Sequence, residues 1–599
     1  MTNLEINNSK IYRLFAWILF GLLTTYLLLR AFFVEPIHDE IATFFYYIES
    51  GIYWGPDLML DANNHILNSF IGHWIYLIFG DNLFLIRLPN VIAFGFYFWG
   101  IYRFIQPIYS SIHKGLILLG TTCIPFILEY FAYTRGYGIS LGLFVFSLSY
   151  IRDFATNRNI KSVYWSSLLV CLAVYANLTF LLTLILMGIL FIIIQFIYRK
   201  ELSKKQHLRL ILVYFLLLVS MLPNFYYAHI LKENGALYYG GLTGFWAVTG
   251  KSLAQYIIFS VMQWIKYASL IVILALVIYF IRRWMKIGLK QFSSDSATIS
   301  AWFLFGNCVA IILMAKILDV NYPEDRVGMH LVIFFLLTIG FVLSRIKSLN
   351  WLLFGLLFFP ITLIPRINLS TSVFSPDDRI SNEFFSDVNK KVNSYSTIAV
   401  YPLQFLTWNY LSRGLDSTNF VSSQREFNQT ADIVLTKTSL FKDQEFLKNY
   451  DVIAHNPESA HVAYKRKKDY KKKVIFSLPV NIENSQDEYV TIFQSQIPDS
   501  LRHRKLQFHF EADVKAENIF REFAIFVYST FSKEQESIDY HYVNQRFAHG
   551  LQKEFPLNFN YAVEKLDTNE NEFRIYIWNR KNEKISIKNG IFQILELTE

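Results

Sequence analysis

Two adjacent carboxylates, Asp39 and Glu40, follow the first long apolar segment of the chain, which runs from Ile11 to Val34. A segment of this length can cross a bilayer, so both acids are expected where a membrane helix meets water. Charged groups there are costly unless they are paired or used in function. Asp39 is the predicted general base, a role typically worth about 10²–10⁴-fold in rate. Glu40 is predicted to orient an acceptor or help bind a metal; a solvent-facing acid is the alternative for both.

Two arginines later in the chain have the right chemistry for a phosphate. Arg135 stands two residues before Tyr137, and Arg326 follows Glu324 and Asp325. A guanidinium group is planar and can donate two hydrogen bonds at once to a phosphate. Both arginines are therefore predicted to bind phosphate. The alternatives are snorkelling from a helix end for Arg135 and an ion pair with a neighbouring acid for Arg326.

Four further residues are predicted to bind substrate. His65 has the chemistry to hydrogen-bond a sugar or a phosphate, or to ligate a metal with a carboxylate, and a structural histidine at the interface is equally open. Asp61 lies in the same loop, and Tyr137 lies beside Arg135. Glu129 lies at the end of an apolar run, where it could also pair with Arg135, six residues on. No spacing in the chain resembles a dedicated zinc site.

The composition indicates a membrane protein with a water-soluble part. Hydrophobic residues make up 53% of the 599 residues, more than in an ordinary soluble domain. The apolar runs end near Arg366, and the composition beyond it is mixed. Most of the net charge of +9 lies in short clusters between apolar runs, as in cytoplasmic loops. The basic run 465–473 is interpreted as a solvated linker, so no nucleic acid partner is predicted.

The basic clusters also predict the topology. They favour eleven crossings, with the N-terminus in the cytoplasm and the C-terminal part outside. The apolar segment His65 to Gly80 would put later clusters on the wrong side if it crossed, so it is predicted to lie at the interface as an amphipathic helix. The predicted spans are 11–34, 87–105, 114–131, 137–151, 163–177, 178–198, 208–228, 253–281, 299–318, 329–344 and 350–366.

Three domains are predicted. Residues 1–368 form the membrane domain, with an outer loop at 35–86. Residues 369–465 alternate short apolar strands at 397–401, 431–435 and 451–455 with helix-like stretches that include 404–413 and 442–449. This alternation favours a soluble α/β unit. Residues 466–599 contain alternating strands with few helices, which is typical of an antiparallel β-sandwich.

The order of these motifs resembles a known family. A first span ending in Asp39-Glu40, then Asn64-His65, then Arg87-Leu88-Pro89 at the next span, is similar to the GT-C glycosyltransferases. The protein O-mannosyltransferases and the aminoarabinose transferases are the most similar families. Tyr133 to Tyr137 resembles the Arg-x-Tyr element of that family, and Pro323 to Arg326 resembles its outer-loop arginine element. The resemblance covers roughly residues 11–366.

The resemblance implies a GT-C fold and a sugar donor linked to a polyprenyl phosphate. It further implies inversion at the anomeric carbon and a multi-pass protein of a bacterial inner membrane, with the C-terminal domain periplasmic. The partners would be the lipid bilayer, the donor and an acceptor that is a protein, a lipid or a glycan. In this superfamily a divalent metal ion is one cofactor option. The alternatives are a transporter or flippase of a lipid-linked saccharide and a non-catalytic membrane scaffold.

Overall fold

The contacts of the chain form two compact units, of which the first contains Met1–Val34 and Gly51–Phe374 and the second contains Glu35–Ser50 and Ser375–Glu599. The computed structural model describes residues 3–55, 58–400, 402–413, 423–424, 430–438, 448–517, 525–544, 552–580 and 582–599. The predicted outer loop 35–86 is thereby divided between the units. The three domain boundaries stay predictions.

The first unit is built from helices whose ends follow local capping rules. Ser203 and Gln206, for example, form a reciprocal capping box at the start of one helix. Its α-helices are Asn3–Phe33, Ile66–Phe79, Leu83–Phe104, Ser111–Thr122, Pro125–Glu129, Gly136–Asn157, Ile160–Ala176, Phe180–Ile197, Lys204–Glu233, Lys251–Ile258, Gln263–Ser294, Ser296–Ile317, Met329–Arg345 and Phe358–Leu363.

Within the described part of the chain, eight helices are long and apolar enough to cross a membrane. They are Lys10–Phe33, Leu83–Phe104, Gly136–Asn157, Phe180–Ile197, Lys204–Glu233, Gln263–Ser294, Ser296–Ile317 and Asp325–Arg345. Three shorter apolar helices are Ile66–Phe79, Ile160–Ala176 and Asn350–Arg366. The predicted span 114–131 is interrupted before Pro125, which has no N–H to continue a helix. The count of eleven crossings stays a prediction.

Large apolar side chains stay exposed along these helices. Phe215 and Leu216 on Lys204–Glu233, and Ile271 on Gln263–Ser294, are each more than half exposed. Soluble proteins rarely leave apolar surface of this extent in water. The exposed faces therefore indicate a membrane protein, as the composition predicts.

In the second unit, five strands that lie between residues 398 and 466 form one sheet. Its strands are β1 (Ile398–Val400), β2 (Ser423–Gln424), β3 (Ile433–Lys437), β4 (Tyr450–Asn456) and β5 (His461–Arg466). The order is β2-β1-β3-β5-β4, with β1 parallel to β2 and β3 and the remaining pairs antiparallel. The helices Asn382–Asn389 and Pro402–Ser412 accompany it. Most of the predicted helix over 442–449 lies outside the described residues.

Two four-stranded antiparallel sheets follow, in the orders β10-β9-β12-β7 and β11-β8-β13-β6. Both sheets bury side chains in one apolar cluster that includes Phe508, Phe526 and Phe573. The strands are β6 (Lys471–Ser485), β7 (Tyr489–Gln496), β8 (Leu506–Ala516), β9 (Ile525–Phe531), β10 (Ser537–Asn544), β11 (Glu554–Val563), β12 (Glu572–Trp578) and β13 (Ile585–Thr598).

The segment 35–50 is held in the second unit by two ion pairs. Glu35 accepts a hydrogen bond from Arg379 at 2.7 Å. The carboxylate of Glu49 accepts two from Arg413, at 2.8 and 2.9 Å. The Arg413 side chain also lies over the ring of Phe45. The short helix His38–Thr43, which carries Asp39, is therefore part of the second unit. The segments before and after 35–50 belong to the first unit.

Candidate functional site

Arg135 lies at the start of helix Gly136–Asn157, where it is only 1% exposed. Its guanidinium donates a hydrogen bond to the side-chain oxygen of Asn63 and lies 5.5 Å from the ring centroid of Tyr137. Asn63 is held in turn, because its N–H donates to the Asp61 carboxylate at 2.7 Å. A buried charge is tolerated when such partners compensate for lost water. Asp61 therefore positions the group that holds Arg135.

His65 packs against the same tyrosine. Its ring meets the ring of Tyr137 edge-on, with centroids 4.8 Å apart. The backbone of Gly136 lies very close to Ala176 and His65. A Cβ on Gly136 would be 1.8 Å from the carbonyl oxygen of Ala176 and 2.7 Å from the Cβ of His65. Glycine is thus required at position 136 for this approach.

Arg326 lies in the loop before helix Met329–Arg345. Its guanidinium carbon is 4.9 Å from the ring centroid of Tyr239. The Tyr239 hydroxyl donates to the Asp325 carboxylate at 2.8 Å, and the Asp325 N–H donates to the Ser252 hydroxyl at 2.9 Å. Burial raises the pKa of Tyr239 above its ordinary value, so its hydroxyl keeps the proton that it donates. This network fixes the loop around Arg326.

Arg135 and Arg326 both interact electrostatically with the hydroxyl of one side chain, Tyr130. Glu129 also acts on Tyr130, and its own charge is compensated by Arg30. The rings of Tyr130 and Tyr137 are 5.2 Å apart, and Tyr137 also interacts electrostatically with Tyr239. The first unit thus places two cations, three tyrosines and one paired acid from distant parts of the chain in one electrostatic network.

Glu129 has a different partner from the one considered in the sequence. Its carboxylate forms an ion pair with Arg30 at 2.5 Å, rather than with Arg135, because the first helix brings Arg30 alongside it. Glu129 also accepts the N–H of Val373 at 2.9 Å and the hydroxyl of Ser372 at 3.3 Å. These contacts favour a structural role for Glu129, and its predicted contact with substrate stays a prediction.

The carboxylates of Asp39 and Glu40 belong to the second unit. Glu40 is fully buried, and Asp39 is half-buried. The neighbouring carboxylate of Asp378 accepts a hydrogen bond from the backbone N–H of His38. Burial raises the pKa of Asp378 and the charge of Asp39 raises it further, while His38 and Lys437 act in the opposite direction. Asp39 therefore stands in a cluster of titratable groups that also contains a second acid.

The described residues contain no group of three or more His, Cys, Asp or Glu side chains that could hold a metal ion. A divalent ion remains an expectation from the resemblance alone.

Several residues of these clusters, among them Asn63, Asp378 and Tyr130, were not singled out in the sequence. Asn63 had a signal, because it directly precedes Asn64-His65. Asp378 stands in Pro376-Asp377-Asp378-Arg379, where adjacent acids before an arginine are a weak signal. Tyr130 had none, because nothing local distinguishes it among the 37 tyrosines of the chain.

No protein-family profile and no curated protein matches the chain. Among solved structures, ArnT from Cupriavidus metallidurans in the apo state is similar over 75% of this chain and 97% of its own, with 11% identity and a TM-score of 0.39. ArnT bound to undecaprenyl phosphate gives 10% identity over the same shares and the same TM-score. Arabinosyltransferase EmbB from Mycobacterium smegmatis is similar over 97% of this chain and 64% of its own, with 9% identity and a TM-score of 0.33.

ArnT is an aminoarabinose transferase, one of the two families that the motifs resemble.

Proposed function

We propose that this protein is a membrane glycosyltransferase that moves a sugar from a polyprenyl phosphate to an acceptor hydroxyl, with inversion. The reaction would take place on the periplasmic side of a bacterial inner membrane. The polytopic GT-C-like domain would bind the donor, and the C-terminal sheets would form a β-sandwich outside the membrane. The sugar is a hexose or a pentose.

One observation supports the proposal: Arg135 and Arg326 both interact electrostatically with Tyr130, in a unit made of apolar helices. Two guanidinium groups that act on the same hydroxyl offer the charge and the hydrogen-bond donors that a phosphate diester needs. Exposed apolar helix faces offer a surface for a polyprenyl tail. Chemistry on a lipid phosphate requires both features in one unit.

Within this proposal, the two arginines stabilise the phosphate that leaves when the bond to the sugar breaks. Asp39 takes the proton from the acceptor hydroxyl, and the oxygen forms the new bond at the anomeric carbon from the opposite face. Glu40 would orient the acceptor, and His65 and Tyr137 would contact the sugar or its phosphate. Asp61 acts through Asn63.

The first test measures donor recognition without chemistry. Purified protein in lipid nanodiscs is titrated with undecaprenyl phosphate. Arg135→Ala and Arg326→Ala should each weaken binding about 10- to 100-fold, because hydrogen bonds to charged groups contribute about 1.5–3 kcal/mol. Arg209→Ala is the matched control, since Arg209 is exposed on helix Lys204–Glu233. Unchanged affinity in both site variants would refute the phosphate site.

The second test measures transfer. Membranes are supplied with a panel of radiolabelled undecaprenyl-phosphate sugars, and labelled products are separated by mass. Asp39→Asn should abolish transfer while leaving undecaprenyl phosphate binding intact. Full activity of this variant would remove the assignment of the base. Movement of the labelled lipid between leaflets without any transfer product would favour the transporter instead.

A further inference from the structure

The second unit contains a cleft of about 590 Å³ whose lining includes none of the candidate site residues described above. It lies between the start of β3, the connection from β5 to β6, and the segment that follows helix Asn382–Asn389. Its lining residues are Lys391, Asn393, Ser394, Tyr395, Ser396, Asp432, Ile433, Lys465, Asp469, Tyr470, Lys472, Val474 and Leu595. A volume of this size suits a small organic ligand rather than a single ion.

Hydrogen bonds from strands β6, β8 and β11 hold the loop 393–396, which forms one wall of the cleft. The carbonyl oxygen of Tyr395 accepts from Lys472 at 2.5 Å and from Gln507 at 2.9 Å. The carbonyl oxygen of Ser394 accepts from the Asn560 amide at 2.8 Å. The loop 393–396 is therefore fixed before any ligand arrives, which lowers the entropy cost of binding.

Four of the charged side chains that line the cleft are paired with one another. The Asp432 carboxylate accepts the N–H of Thr397 at 2.9 Å and pairs with Lys472 at 2.7 Å. Lys465 lies 3.5 Å from the Asp469 carboxylate. These pairs shape the cleft and leave little charge for a ligand to neutralise there.

Lys391 is different. It is exposed, and among the described residues its ammonium group has no carboxylate within ion-pair distance. Two further cations flank Tyr470. Arg466 lies 4.2 Å from its ring centroid, and the ammonium group of Lys505, which also pairs with Glu599 at 3.7 Å, lies 3.3 Å from its hydroxyl. The potential around the cleft therefore favours an anion, with Lys391 as the cation still available to it.

Tyr395 supplies a surface for the rest of the ligand. Its side chain is 38% exposed and packs against His509 with ring centroids 4.4 Å apart. Val474, which also lines the cleft, is 46% exposed. A half-exposed aromatic ring beside a small apolar patch suits the C–H face of a sugar, while backbone and side-chain polar groups nearby suit its hydroxyls.

We propose that this cleft binds a saccharide that carries a carboxylate or a phosphate group. The sugar ring packs on Tyr395, and the anionic group pairs with Lys391. This binding goes beyond the proposed transfer reaction and does not depend on it, because it is measured without a donor.

The test uses the full chain in nanodiscs and isothermal titration. The probes are trigalacturonate, mannose 6-phosphate, neutral maltotriose and inorganic phosphate. Trigalacturonate or mannose 6-phosphate should bind more tightly than maltotriose and phosphate, and the tighter of the two identifies the anionic group. Raising the salt concentration should weaken this binding.

Variants assign the residues. Lys391→Ala should weaken binding of the acidic saccharide about 3- to 10-fold, and Lys391→Arg should restore it. Tyr395→Ala should also weaken this binding, because it removes the ring on which the sugar packs. The backbone carbonyl that holds the loop is unchanged, so the loop should keep its position. Lys588→Ala, at an exposed lysine of β13, is the control.

Two results would overturn the assignment. One is equal affinity for maltotriose or for phosphate alone. The other is acidic saccharide binding that Lys391→Ala and Tyr395→Ala leave unchanged. Neither result bears on whether Asp39, Arg135 and Arg326 perform transfer, so the two proposals fail separately.

Discussion

Glu129 and Arg30 form an ion pair of 2.5 Å in which the arginine side chain has no exposed surface. Arg30 also donates to the backbone carbonyl of Asn368 at 2.7 Å, and Glu129 accepts the N–H of Val373. The pair thus fastens the end of the first helix to the last segment of the first unit. A buried pair of this kind holds a structure together because either partner alone is an uncompensated charge.

We expect Glu129→Ala to destabilise the first unit strongly. Leaving Arg30 buried and unpaired should cost about 3–5 kcal/mol, which thermal unfolding of the detergent-purified protein would show as a lowered midpoint. Glu233→Ala is the control, because Glu233 pairs with His229 on an exposed surface at 4.0 Å and its loss should not change the midpoint. Equal midpoints for the two variants would contradict a supporting role for the buried pair.

Gly136→Ala should displace the start of helix Gly136–Asn157. The added methyl group would lie 1.8 Å from the carbonyl oxygen of Ala176, so the backbone has to move, and Arg135 and Tyr137 move with it. Binding of undecaprenyl phosphate should fall at least as far as in Arg135→Ala. Gly188→Ala, where nothing lies within 4 Å of the added carbon, should bind normally. Normal binding by both variants would show that the close approach at Gly136 is not needed.

Asn63→Ala should weaken undecaprenyl phosphate binding through Arg135. The substitution removes the acceptor of the Arg135 hydrogen bond, and a hydrogen bond to a charged group is worth about 1.5–3 kcal/mol. Asn63→Asp keeps an acceptor but adds a negative charge beside Arg135, so it should also weaken binding of the anionic lipid. Asn234→Ala, at an exposed asparagine after helix Lys204–Glu233, is the control. If Asn63→Ala binds as tightly as this control, Asn63 does not orient the arginine.

The stability of the second unit should depend on pH through Asp378. Burial and the charge of Asp39 raise the pKa of Asp378, so the folded state holds its proton more firmly than the unfolded state does. The stabilisation is complete below the ordinary pKa of an aspartate and is lost as the pH rises through the raised pKa.

The measurement is the unfolding midpoint of the second unit as a function of pH. Asp378→Asn cannot titrate and should flatten the profile above the ordinary aspartate pKa. Asp39→Asn should shift the remaining transition to lower pH, because it removes a like charge. A profile that is unchanged in both variants would mean that the two acids do not interact.

Much of the first unit was predictable because helix formation across a bilayer depends on local sequence. The predicted spans 11–34, 178–198 and 299–318 correspond to helices within a few residues at each end. The predicted span 114–131 was harder, since most of its residues are apolar and the break before Pro125 is a property of the backbone.

In the second unit, the short apolar runs 397–401, 431–435 and 451–455 correspond to β1, β3 and β4. Local patterns of alternating and β-branched residues were sufficient for this. The order of the strands in the sheet was not predictable, because strand pairing joins segments that are far apart in the sequence.

By itself the sequence determined which segments are apolar, where charged groups interrupt them, and which residue types have the chemistry for phosphate binding and proton transfer. Only the tertiary structure decided the partners. Glu129 pairs with Arg30 across 99 positions of the chain. Asp39 interacts electrostatically with Asp378 in the second unit, and Arg135 and Arg326 both interact electrostatically with Tyr130. The physical reason is that burial forces each charged group to find a compensating group nearby in space, and distance along the chain does not say which one that is.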